Sequence, residues 1–499
     1  MGFVDRARPH TRRSRSAATL TAGAIALAAV FANMVAQPAT ADTLTGEVYL
    51  GYPYSPSAVA VSPDGTRAYV TSVGGNRLTG TMLSVIDTAT GTVTSTVEPA
   101  QQGGPQIAAF TSVAVSPDGT RAYVGNYPQR AVSVIDTTAN PPAVIGAPIS
   151  VPRYPNAVAV SPDGTRAYVT SGDADGTVSV IDTAQGVVVA SIPVGTNPNT
   201  VAISPDGTRV YVANSGGGQR VSVIDTTAIP PAVIANVGVG VGPTGVTVSP
   251  DGSRAYVTNY YDGTMSVIDA AAAPPVVIGA PIPVGTNPGK AAITPDGTRV
   301  YVANAGGQNT VSVIDTATTP PALIATVPVG TNPNDVAISP DGVHAYVTNG
   351  GNGGSATVSV IRIGDAPTIS GTPASGTVGR PYSYAFTVAG RPAPTVSVTT
   401  GALPDGLTLT SNGLLAGTPT SAGLFEFTLT ASNGIDNDVH LRSPSASPLP
   451  QTKIRLRRLP VHSAQPEASL PDRIGHHHRR FPWPPAMLEW AATGLQGAS

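Results

Sequence analysis

The chain repeats one unit seven times, and this feature constrains its fold more than any other. The string Ser-Pro-Asp-Gly-Thr-Arg-Ala-Tyr-Val begins at Ser62 and returns with small changes about every 45 residues. Its aspartates are Asp64, Asp118, Asp163, Asp206, Asp251, Asp296 and Asp341. A second string, of the type Val-Ser-Val-Ile-Asp, follows every copy. Repeats of this kind bury a core only against their neighbours, so the whole region shares one repetitive architecture.

Each unit is typical of four short strands joined by tight turns. In the third unit we predict strand A at Val158–Val160, strand B at Arg166–Thr170, strand C at Val178–Ile181 and strand D at Val187–Ile192. Pro-Asp-Gly between strands A and B suits a tight turn, because Pro fixes φ and Gly accepts positive φ. Four strands in about 45 residues match one blade of a propeller. The sequence therefore predicts an all-β fold, a seven-bladed β-propeller.

The two ends of the repeat region predict that the ring closes. The seventh unit stops after strand C at Ile363, and Arg362 stands where the other units have Asp. Gly46–Pro53 lies just before the first strand A, in the place that a strand D occupies elsewhere. We therefore predict that this N-terminal strand completes the seventh blade and that the propeller spans residues 42–363. Such a pairing removes two free sheet edges.

A four-residue motif gives the repeat a family resemblance. Tyr-Val-Thr-Asn occurs at Tyr256–Asn259 and Tyr346–Asn349, and Tyr-Val-Ala-Asn occurs at Tyr211–Asn214 and Tyr301–Asn304. These motifs resemble the YVTN-family β-propeller repeat of exported and cell-surface proteins. The resemblance implies an extracellular or surface propeller that acts as a binding or scaffold module. More distant seven-bladed relatives include lactonases and quinone-linked amine dehydrogenases, but no family catalytic residue maps onto this sequence.

A second β module follows the repeats at residues 366–435. Its sequence blocks are Val378–Tyr384, Gly401–Leu409, Gly417–Gly423 and Phe425–Asn433. Together they are similar to the Ig-like, cadherin-like domain family of bacterial surface proteins, which implies a small β-sandwich. That family continues into more alternating sequence beyond the last block, so the sandwich is expected to lack its last strand.

The two termini differ in composition from the repeats. Five arginines, an Ala-rich apolar stretch and then Ala39-Thr40-Ala41 predict a secretory signal peptide over residues 1–41, although the stretch could also remain as an anchor. Once it is cleaved, no stable membrane span is expected. Residues 436–499 are basic and rich in Pro, His and Arg, which predicts a disordered tail. An alternative is that this segment is translated out of frame.

The composition excludes several classes of function. Only 11% of residues are charged and the formal net charge is −2, so no basic surface steers the chain onto nucleic acid. The chain has no Cys, which excludes disulfides, thiolate nucleophiles and Cys-ligated metals. The sequence also lacks a Gly-x-Ser-x-Gly elbow, a paired-His metal motif and a phosphate-binding glycine loop. We therefore assign no catalytic residue.

Binding residues are expected on one face of the ring. In antiparallel blades the A–B and C–D turns lie on one face, and the B–C and D–A loops lie on the other. The first face is uniform between copies whereas the second varies, as recognition surfaces on repeat scaffolds do. The candidate ligand-binding residues on this variable face are Tyr127, Arg130, Arg153, Tyr154, Arg220, Tyr260, Tyr261, Asp262, Lys290 and Asp335. Lys290 and Asp335 share one register position in neighbouring blades, so they either form an ion pair or contact a ligand.

These features predict a secreted or cell-surface binding or scaffold protein. The variable face would hold a protein or a glycan, and the Ig-like module would act as a spacer or adhesion unit. The alternative is a lactonase-like hydrolase acting at the channel mouth through Asp335. No cofactor is expected, but calcium is possible because Asp173 and Asp175 resemble the start of a calcium loop, although no Glu follows at the required distance. We expect a monomer.

Overall fold

The computed structural model describes residues 42–51, 54–74, 82–98, 110–127, 129–172, 176–351, 356–433, 435, 439–442 and 453–457. All regular secondary structure in these ranges is β-strand, as the repeat pattern predicts. Within them no helix is long and apolar enough to cross a membrane. The predicted signal peptide, residues 1–41, lies outside the described residues.

Seven four-stranded antiparallel sheets follow one another along the chain. The first strand is β1 (Thr43–Tyr49), which belongs to sheet seven. Sheets one to three contain β2 (Tyr54–Val61), β3 (Arg67–Gly74), β4 (Met82–Asp87), β5 (Thr92–Val97), β6 (Phe110–Val115), β7 (Arg121–Asn126), β8 (Ala131–Asp136), β9 (Ala143–Ser150), β10 (Pro155–Val160), β11 (Arg166–Ser171), β12 (Thr177–Asp182) and β13 (Val187–Pro193). Each of these three sheets takes four strands that are consecutive in the chain, as in a propeller blade.

The remaining sheets repeat the same order. Sheets four to six contain β14 (Pro198–Ile203), β15 (Arg209–Asn214), β16 (Arg220–Asp225), β17 (Ala232–Gly238), β18 (Pro243–Val248), β19 (Arg254–Asn259), β20 (Thr264–Asp269), β21 (Val276–Pro283), β22 (Pro288–Ile293), β23 (Arg299–Asn304), β24 (Thr310–Asp315) and β25 (Ala322–Pro328). Sheet seven contains β26 (Pro333–Ile338), β27 (His344–Asn349), β28 (Thr357–Arg362) and β1. In the third unit, all four strands predicted from the sequence lie within observed strands.

The N-terminal strand lies where the sequence places it, although with different bounds. β1 pairs antiparallel with β28, and Val48 lies opposite Val358. The strand begins at Thr43, three residues before the predicted start, and ends at Tyr49, four residues before the predicted end; Tyr52 and Pro53 lie outside the described residues. Sheet seven therefore takes its fourth strand from the opposite end of the repeat region.

The repeated tyrosines of strand B fill the space between neighbouring sheets. All seven are at most 4% exposed. Tyr211, for example, packs with Val246, Val257 and Ile268 of the following sheet. Close packing of large side chains between sheets is what holds a chain without disulfides together, and it confirms the predicted packing role of these tyrosines.

The Asp of each Pro-Asp-Gly is a turn residue, as predicted. Ser249 Oγ donates to Asp251 Oδ1 at 2.5 Å, and the Ser253 amide donates to the same oxygen at 3.0 Å. These hydrogen bonds, that from Ser249 above all, lower the pKa of Asp251 to about 2. Gly252 follows with a φ of 70°, which only glycine adopts without strain. The carboxylates of this face are thus already engaged by their own turns.

The Asn that ends strand B ties its sheet to a nearby glycine. In sheet six, Asn304 Nδ2 donates to Ser312 Oγ at 3.0 Å, and the Gly285 amide donates to Asn304 Oδ1 at 3.1 Å. A Cβ on Gly285 would overlap the Asn304 side chain. The motif Tyr-Val-Ala-Asn therefore requires the glycine of Val-Gly-Thr-Asn-Pro in the preceding loop.

The C-terminal module is a β-sandwich of short strands. They are β29 (Asp365–Ser370), β30 (Gly376–Thr377), β31 (Tyr382–Ala385), β32 (Thr387–Arg391), β33 (Thr395–Gly401), β34 (Leu407–Leu409), β35 (Leu414–Gly417), β36 (Gly423–Ser432), β37 (Val439–Arg442) and β38 (Lys453–Arg457). β29 pairs with β32, β35 lies between β31 and β34, and β36 pairs with β33, β37 and β38. Its core includes Phe386, Leu415, Phe427 and Leu429.

The predicted boundary of this module at residue 435 is wrong. β37 pairs with β36, and Leu441 is 7% exposed within the core. β38 pairs with β36 and, in parallel, with β30. Both strands lie in the segment that the sequence predicts to be a disordered tail. Each has only two alternating apolar residues, Val439 with Leu441 and Ile454 with Leu456, which is too few for a recognisable strand pattern in a basic segment. The end of the tail, residues 458–499, lies outside the described residues.

A buried ionic cluster joins the sandwich to sheet six. Arg299 Nη1 lies 3.1 Å from Asp42 Oδ1, and Arg299 Nη2 lies 2.5 Å from Asp365 Oδ1. Asp42 also accepts hydrogen bonds from Tyr301 Oη at 2.8 Å and from the Gly364 amide at 2.9 Å. Burial raises the pKa of Asp42, although these partners oppose the rise. The cluster fixes Asp42 and the start of the sandwich to one point on the repeat region.

Candidate functional site

One residue from each of the seven sheets lines a single cavity of about 360 Å³. These residues are equivalent in the repeat and stand second in strand A in every sheet but the first, where strand A begins two residues earlier; they are Ser57, Thr111, Asn156, Asn199, Thr244, Gly289 and Asn334. Lys290 and the loop residues Asn197, Tyr260 and Ala305 complete the lining. We call this cavity, with the B–C and D–A loops around it, the channel mouth. Its volume falls within the range of small-molecule sites, about 300–1,000 Å³.

Hydrogen bonds between neighbouring sheets hold the side chains of the lining in place. Five of them donate to a backbone carbonyl of the next sheet: Ser57 to Phe110 at 2.9 Å, Thr111 to Pro155 at 2.8 Å, Asn156 to Pro198 at 2.9 Å, Thr244 to Pro288 at 2.9 Å, and Asn334 to Ser57 at 2.9 Å. The side chain of Asn199 has no such partner among the described residues. Ordered lining of this kind needs little reorganisation when a ligand binds.

Sheets six and seven make a different contact. A Cβ on Gly289 would lie 2.5 Å from the Asn334 carbonyl oxygen, so only glycine permits this approach. One residue later, Lys290 Nζ lies 2.8 Å from Asp335 Oδ2. Asp335 also accepts from the Val59 amide at 3.3 Å and from the Val336 amide at 2.9 Å. Of the two roles expected for Lys290 and Asp335, the structure shows the ion pair between neighbouring sheets.

Tyr127, Arg130 and Tyr154 come together at the boundary between sheets two and three. The rings of Tyr127 and Tyr154 stack with centroids 4.6 Å apart and an interplanar angle of 21°. The Arg130 guanidinium lies 4.5 Å from the Tyr154 ring centroid, and its Nη2 donates to Tyr154 Oη at 3.2 Å. Tyr127 is 41% exposed. Two loops of different sheets thus build one stack, in which Tyr127 covers a face of Tyr154 and the Arg130 guanidinium lies against the same ring.

A second aromatic pair lies on the B–C loop of sheet five. Tyr260 and Tyr261 meet edge to face with centroids 5.1 Å apart. Tyr260 lines the cavity, and Tyr261 is 73% exposed. Asp262 Oδ2 accepts a hydrogen bond of 2.7 Å from the Val241 amide, so it braces the neighbouring loop. Asp262 therefore supports the tyrosines.

The remaining predicted residues are spread over the same face. Arg153 is half-buried next to Tyr154, and Arg220 is exposed at the start of β16. The structure places neither of them in the cavity lining. The calcium candidates Asp173 and Asp175 lie outside the described residues. In the ranges that the structure does describe, no group of three or more His, Asp or Glu side chains is placed to hold a metal ion.

Of the cavity lining, sequence reasoning found Tyr260 and Lys290 but missed the seven equivalent residues of strand A. It singled out the register position of Lys290 and Asp335, whereas the cavity is lined by the position one residue earlier. Side chains alternate along a strand, so adjacent register positions point to different sides. The available signal was the recurrence of Ser, Thr or Asn in six of the seven copies at that earlier position.

Grooves between sheets on the opposite face, two of them larger than this cavity, are lined by side chains that already make structural contacts. One of about 530 Å³ is lined by Asp251, Arg254, Tyr256, Asp296 and Thr316. The two aspartates accept hydrogen bonds within their own turns, and Arg254 Nη1 donates to the Thr316 carbonyl at 3.4 Å. Similar grooves recur between other sheets because the turns repeat. We therefore take the channel mouth as the candidate site.

Comparison with known families supports the two-part architecture. The family model described as "WD domain, G-beta repeat" matches residues 152–182, which contain β10–β12. The model described as "Putative Ig domain" matches residues 366–441. The chain carries propeller-like WD40 repeats and an Ig-like domain. The second match extends through Leu441, in agreement with the pairing of β37.

Two solved structures are similar to parts of this chain. Kuenenia stuttgartiensis Hydrazine Synthase is 25% identical, with a TM-score of 0.52 over 62% of this chain and 95% of that chain. A functionally unknown protein from Desulfotomaculum acetoxidans DSM 771 is 17% identical, with a TM-score of 0.48 over 56% of this chain and 88% of that chain. No curated protein matches the sequence.

Proposed function

We propose that this chain is an exported binding and scaffold protein in which a closed, seven-bladed propeller of the YVTN type holds a protein or glycan at its channel mouth. The observation that carries the proposal is the cavity lined by one equivalent residue from each of the seven sheets, together with two tyrosine pairs that each have one exposed ring. WD40 repeats and Ig-like domains are both building blocks of binding proteins. The proposed units are the propeller, residues 42–363, and the sandwich, from residue 366 to at least Leu441.

Contacts between the last and the first sheet support a closed ring. Asn334 of β26 donates to the Ser57 carbonyl of β2, and the Val59 amide of β2 donates to Asp335 of β26. The same kind of contact joins sheets one to two, two to three, and three to four. With β1 paired to β28, sheet seven also has its full set of strands.

The contrast between the two faces supports the choice of the channel mouth. The turns of the opposite face use their Asp, Ser and Thr side chains to bond one another. The loops of the channel mouth instead expose Tyr127 and Tyr261 to solvent. Tyrosine at an exposed, well-ordered position supplies contact area at low entropic cost, which is why binding surfaces are enriched in it.

The Ig-like module would act as a spacer or adhesion unit on a fixed mount. Arg299 bonds Asp365 at its start, and Arg391 Nη1 lies 3.0 Å from Asp296 Oδ2 of sheet six. Both contacts lie on the face opposite the channel mouth, so the mount leaves that cavity open. Secretion or cell-surface display rests on the signal peptide proposed for residues 1–41. We propose a monomer, with no cofactor needed for binding and calcium as a possible addition.

The lactonase-like alternative has less support. It needs Asp335 as a free carboxylate or metal ligand at the channel mouth. Asp335 accepts from Lys290 and two backbone amides, and its side chain is 10% exposed. A carboxylate engaged in this way is poorly suited to act as a general base or a metal ligand.

Affinity capture with matched variants tests the proposal. The whole secreted chain, the variant Tyr127→Ala/Tyr154→Ala and the control Tyr49→Ala are each immobilised and exposed to cell-envelope and culture extracts. Tyr49 is 57% exposed but lies on β1, the outermost strand of sheet seven. We expect the parent and the control to retain a macromolecule that the double variant loses. Equal retention by all three, or retention by none, contradicts the proposal.

A further inference from the structure

We infer that the ligand of the channel mouth is a neutral glycan, held with one sugar in the cavity and a neighbouring sugar on the exposed ring of Tyr127, which stacks on Tyr154. This inference rests on the proposed binding function and narrows it to one chemical class. Three features carry it: the uncharged polar lining, the unpaired amide of Asn199, and the orientation of the aromatic rings at the rim.

The lining offers hydroxyl and amide groups without net charge. Ser57, Thr111 and Asn156 each use a donor on the neighbouring sheet and keep oxygen lone pairs for a ligand. The one charged side chain in the lining, Lys290, is neutralised by Asp335 at 2.8 Å. Sugar hydroxyls both donate and accept hydrogen bonds, so they match such a lining. An anionic ligand would find no uncompensated charge in the cavity itself.

Asn199 differs from the equivalent strand A residues of the other sheets, which form a column around the cavity. It occupies the same register as Asn156, whose amide bonds the Pro198 carbonyl, but it makes no side-chain hydrogen bond within the described part of the chain. The contact between sheets four and five is made instead by the adjacent residue, with Thr200 Oγ1 donating to the Thr244 carbonyl at 2.5 Å. The Asn199 side chain, which is part of the cavity lining, thus keeps two donors and an acceptor for a ligand. That set suits a pair of vicinal hydroxyls.

The rim adds an exposed aromatic ring on which a sugar can stack: Tyr127, which packs on Tyr154 and is 41% exposed. The Tyr127–Tyr154 stack belongs to the loops next to Thr111 and Asn156, so it borders the cavity on that side. The electron-rich face of a tyrosine attracts the weakly positive C–H groups of a pyranose ring. Arg130 orders the Tyr154 ring through its hydrogen bond to Oη. A second ring, Tyr260, stands within the cavity lining.

The same features argue against a protein ligand. Protein interfaces centre on apolar side chains that fill a desolvated pocket. The column that lines the cavity has no aliphatic side chain: it consists of Ser, Thr, Asn and Gly. A protein side chain inserted there would leave many polar groups without partners, which costs binding free energy.

Calorimetry with neutral oligosaccharides tests the inference. The whole chain is titrated with cellotetraose, chitotetraose, mannotetraose, xylotetraose and maltotetraose. We expect at least one to bind, and we expect Asn199→Ala and Tyr127→Ala each to weaken its binding by about tenfold, the effect of losing one good contact. Asn199→Ala removes no hydrogen bond of the fold, so its melting temperature should equal that of the parent. Tyr49→Ala should bind like the parent.

The outcomes separate this inference from the proposed function. The glycan inference is overturned if no tetrasaccharide binds at millimolar concentration. It is also overturned if the Asn199→Ala variant and the tyrosine variant both bind as tightly as the parent. If the capture experiment nevertheless yields a protein that Tyr127→Ala/Tyr154→Ala loses, the proposed function stands and only the ligand class is wrong. If the capture experiment also yields no macromolecule, both the proposed function and the glycan inference are contradicted.

Discussion

Asn334 on β26 donates a hydrogen bond of 2.9 Å from Nδ2 to the carbonyl oxygen of Ser57 on β2, 277 residues earlier in the chain. Asn156 makes the equivalent contact between sheets three and four, from Nδ2 to the Pro198 carbonyl at 2.9 Å. One contact joins the two ends of the repeat region, and the other joins units that are consecutive in sequence. In a closed ring the two are energetically equivalent, whereas in an open array only the second would persist.

Substitution of these two asparagines tests the closure of the ring. Asn334→Ala and Asn156→Ala should each lower the free energy of unfolding by about 0.5–1 kcal/mol, the net contribution of one such hydrogen bond. Urea denaturation followed by circular dichroism measures both. If Asn156→Ala is destabilised and Asn334→Ala unfolds like the parent, the ends of the repeat region are not held together in solution.

Removal of Arg299 should cost far more than removal of the equivalent arginine in another unit. Arg299→Ala leaves Asp42, whose side chain is fully buried, without its cation, and such a loss costs about 3–5 kcal/mol. Arg209→Ala is the matched control, because Arg209 occupies the same register in sheet four and donates to the Ala270 carbonyl, for which a loss of about 1 kcal/mol is expected. Equal losses of stability in denaturant titrations would show that the ionic cluster does not fix the sandwich to the repeats.

The Lys290–Asp335 pair should behave as a structural contact. Lys290→Ala strands a carboxylate that is 10% exposed, so this variant should be less stable than the double variant Lys290→Ala/Asp335→Ala. Thermal unfolding of the parent, both single variants and the double variant completes the cycle. Additive effects of the two substitutions would mean that the residues do not interact, and would reopen a ligand role for Asp335.

Acid should destabilise the repeats through their turn aspartates. The pKa of Asp251 is about 2 in the folded state, against 3.8 for the ordinary side chain, because Ser249 and Ser253 donate to its carboxylate. Between these values the unfolded chain binds more protons than the folded chain, so stability is present above pH 3.8 and is lost as the pH falls towards 2. The fall in melting temperature from pH 6 to pH 2 should shrink in Asp251→Asn and shrink further in Asp206→Asn/Asp251→Asn. An unchanged fall in both variants would refute this origin of acid lability.

The fold of the repeat region is predicted well from the sequence because the same strand and turn pattern occurs in seven copies. Strand B in the third unit was placed at Arg166–Thr170 and is observed at Arg166–Ser171. The buried role of Tyr168 and the turn role of Asp163 followed from their recurrence in every copy. Averaging over copies makes a local signal reliable, and the β-sandwich has no such repetition, so β37 and β38 were missed.

The candidate site was predicted only in part, because its geometry depends on which residues meet across the ring. Variation between copies identified Tyr127 and Tyr154, but not that loops of different sheets would stack them. The cavity residues Thr111 and Asn156 were overlooked because a search for variation between copies does not find a position that is Ser, Thr or Asn in nearly every copy. The partners of Arg299 could not be foreseen either, since they come from residues 257 positions before it and 66 after it.

The most direct test of the account is amide hydrogen exchange on the whole chain, alone and bound to the macromolecule captured from the envelope extract. Binding at the channel mouth predicts slower exchange in the loops that contain Tyr154–Asn156 and Tyr260–Asp262, with unchanged exchange in the Pro-Asp-Gly turns of the opposite face. Slower exchange confined to those turns or to the Ig-like module would contradict the central claim that the channel mouth is the binding site.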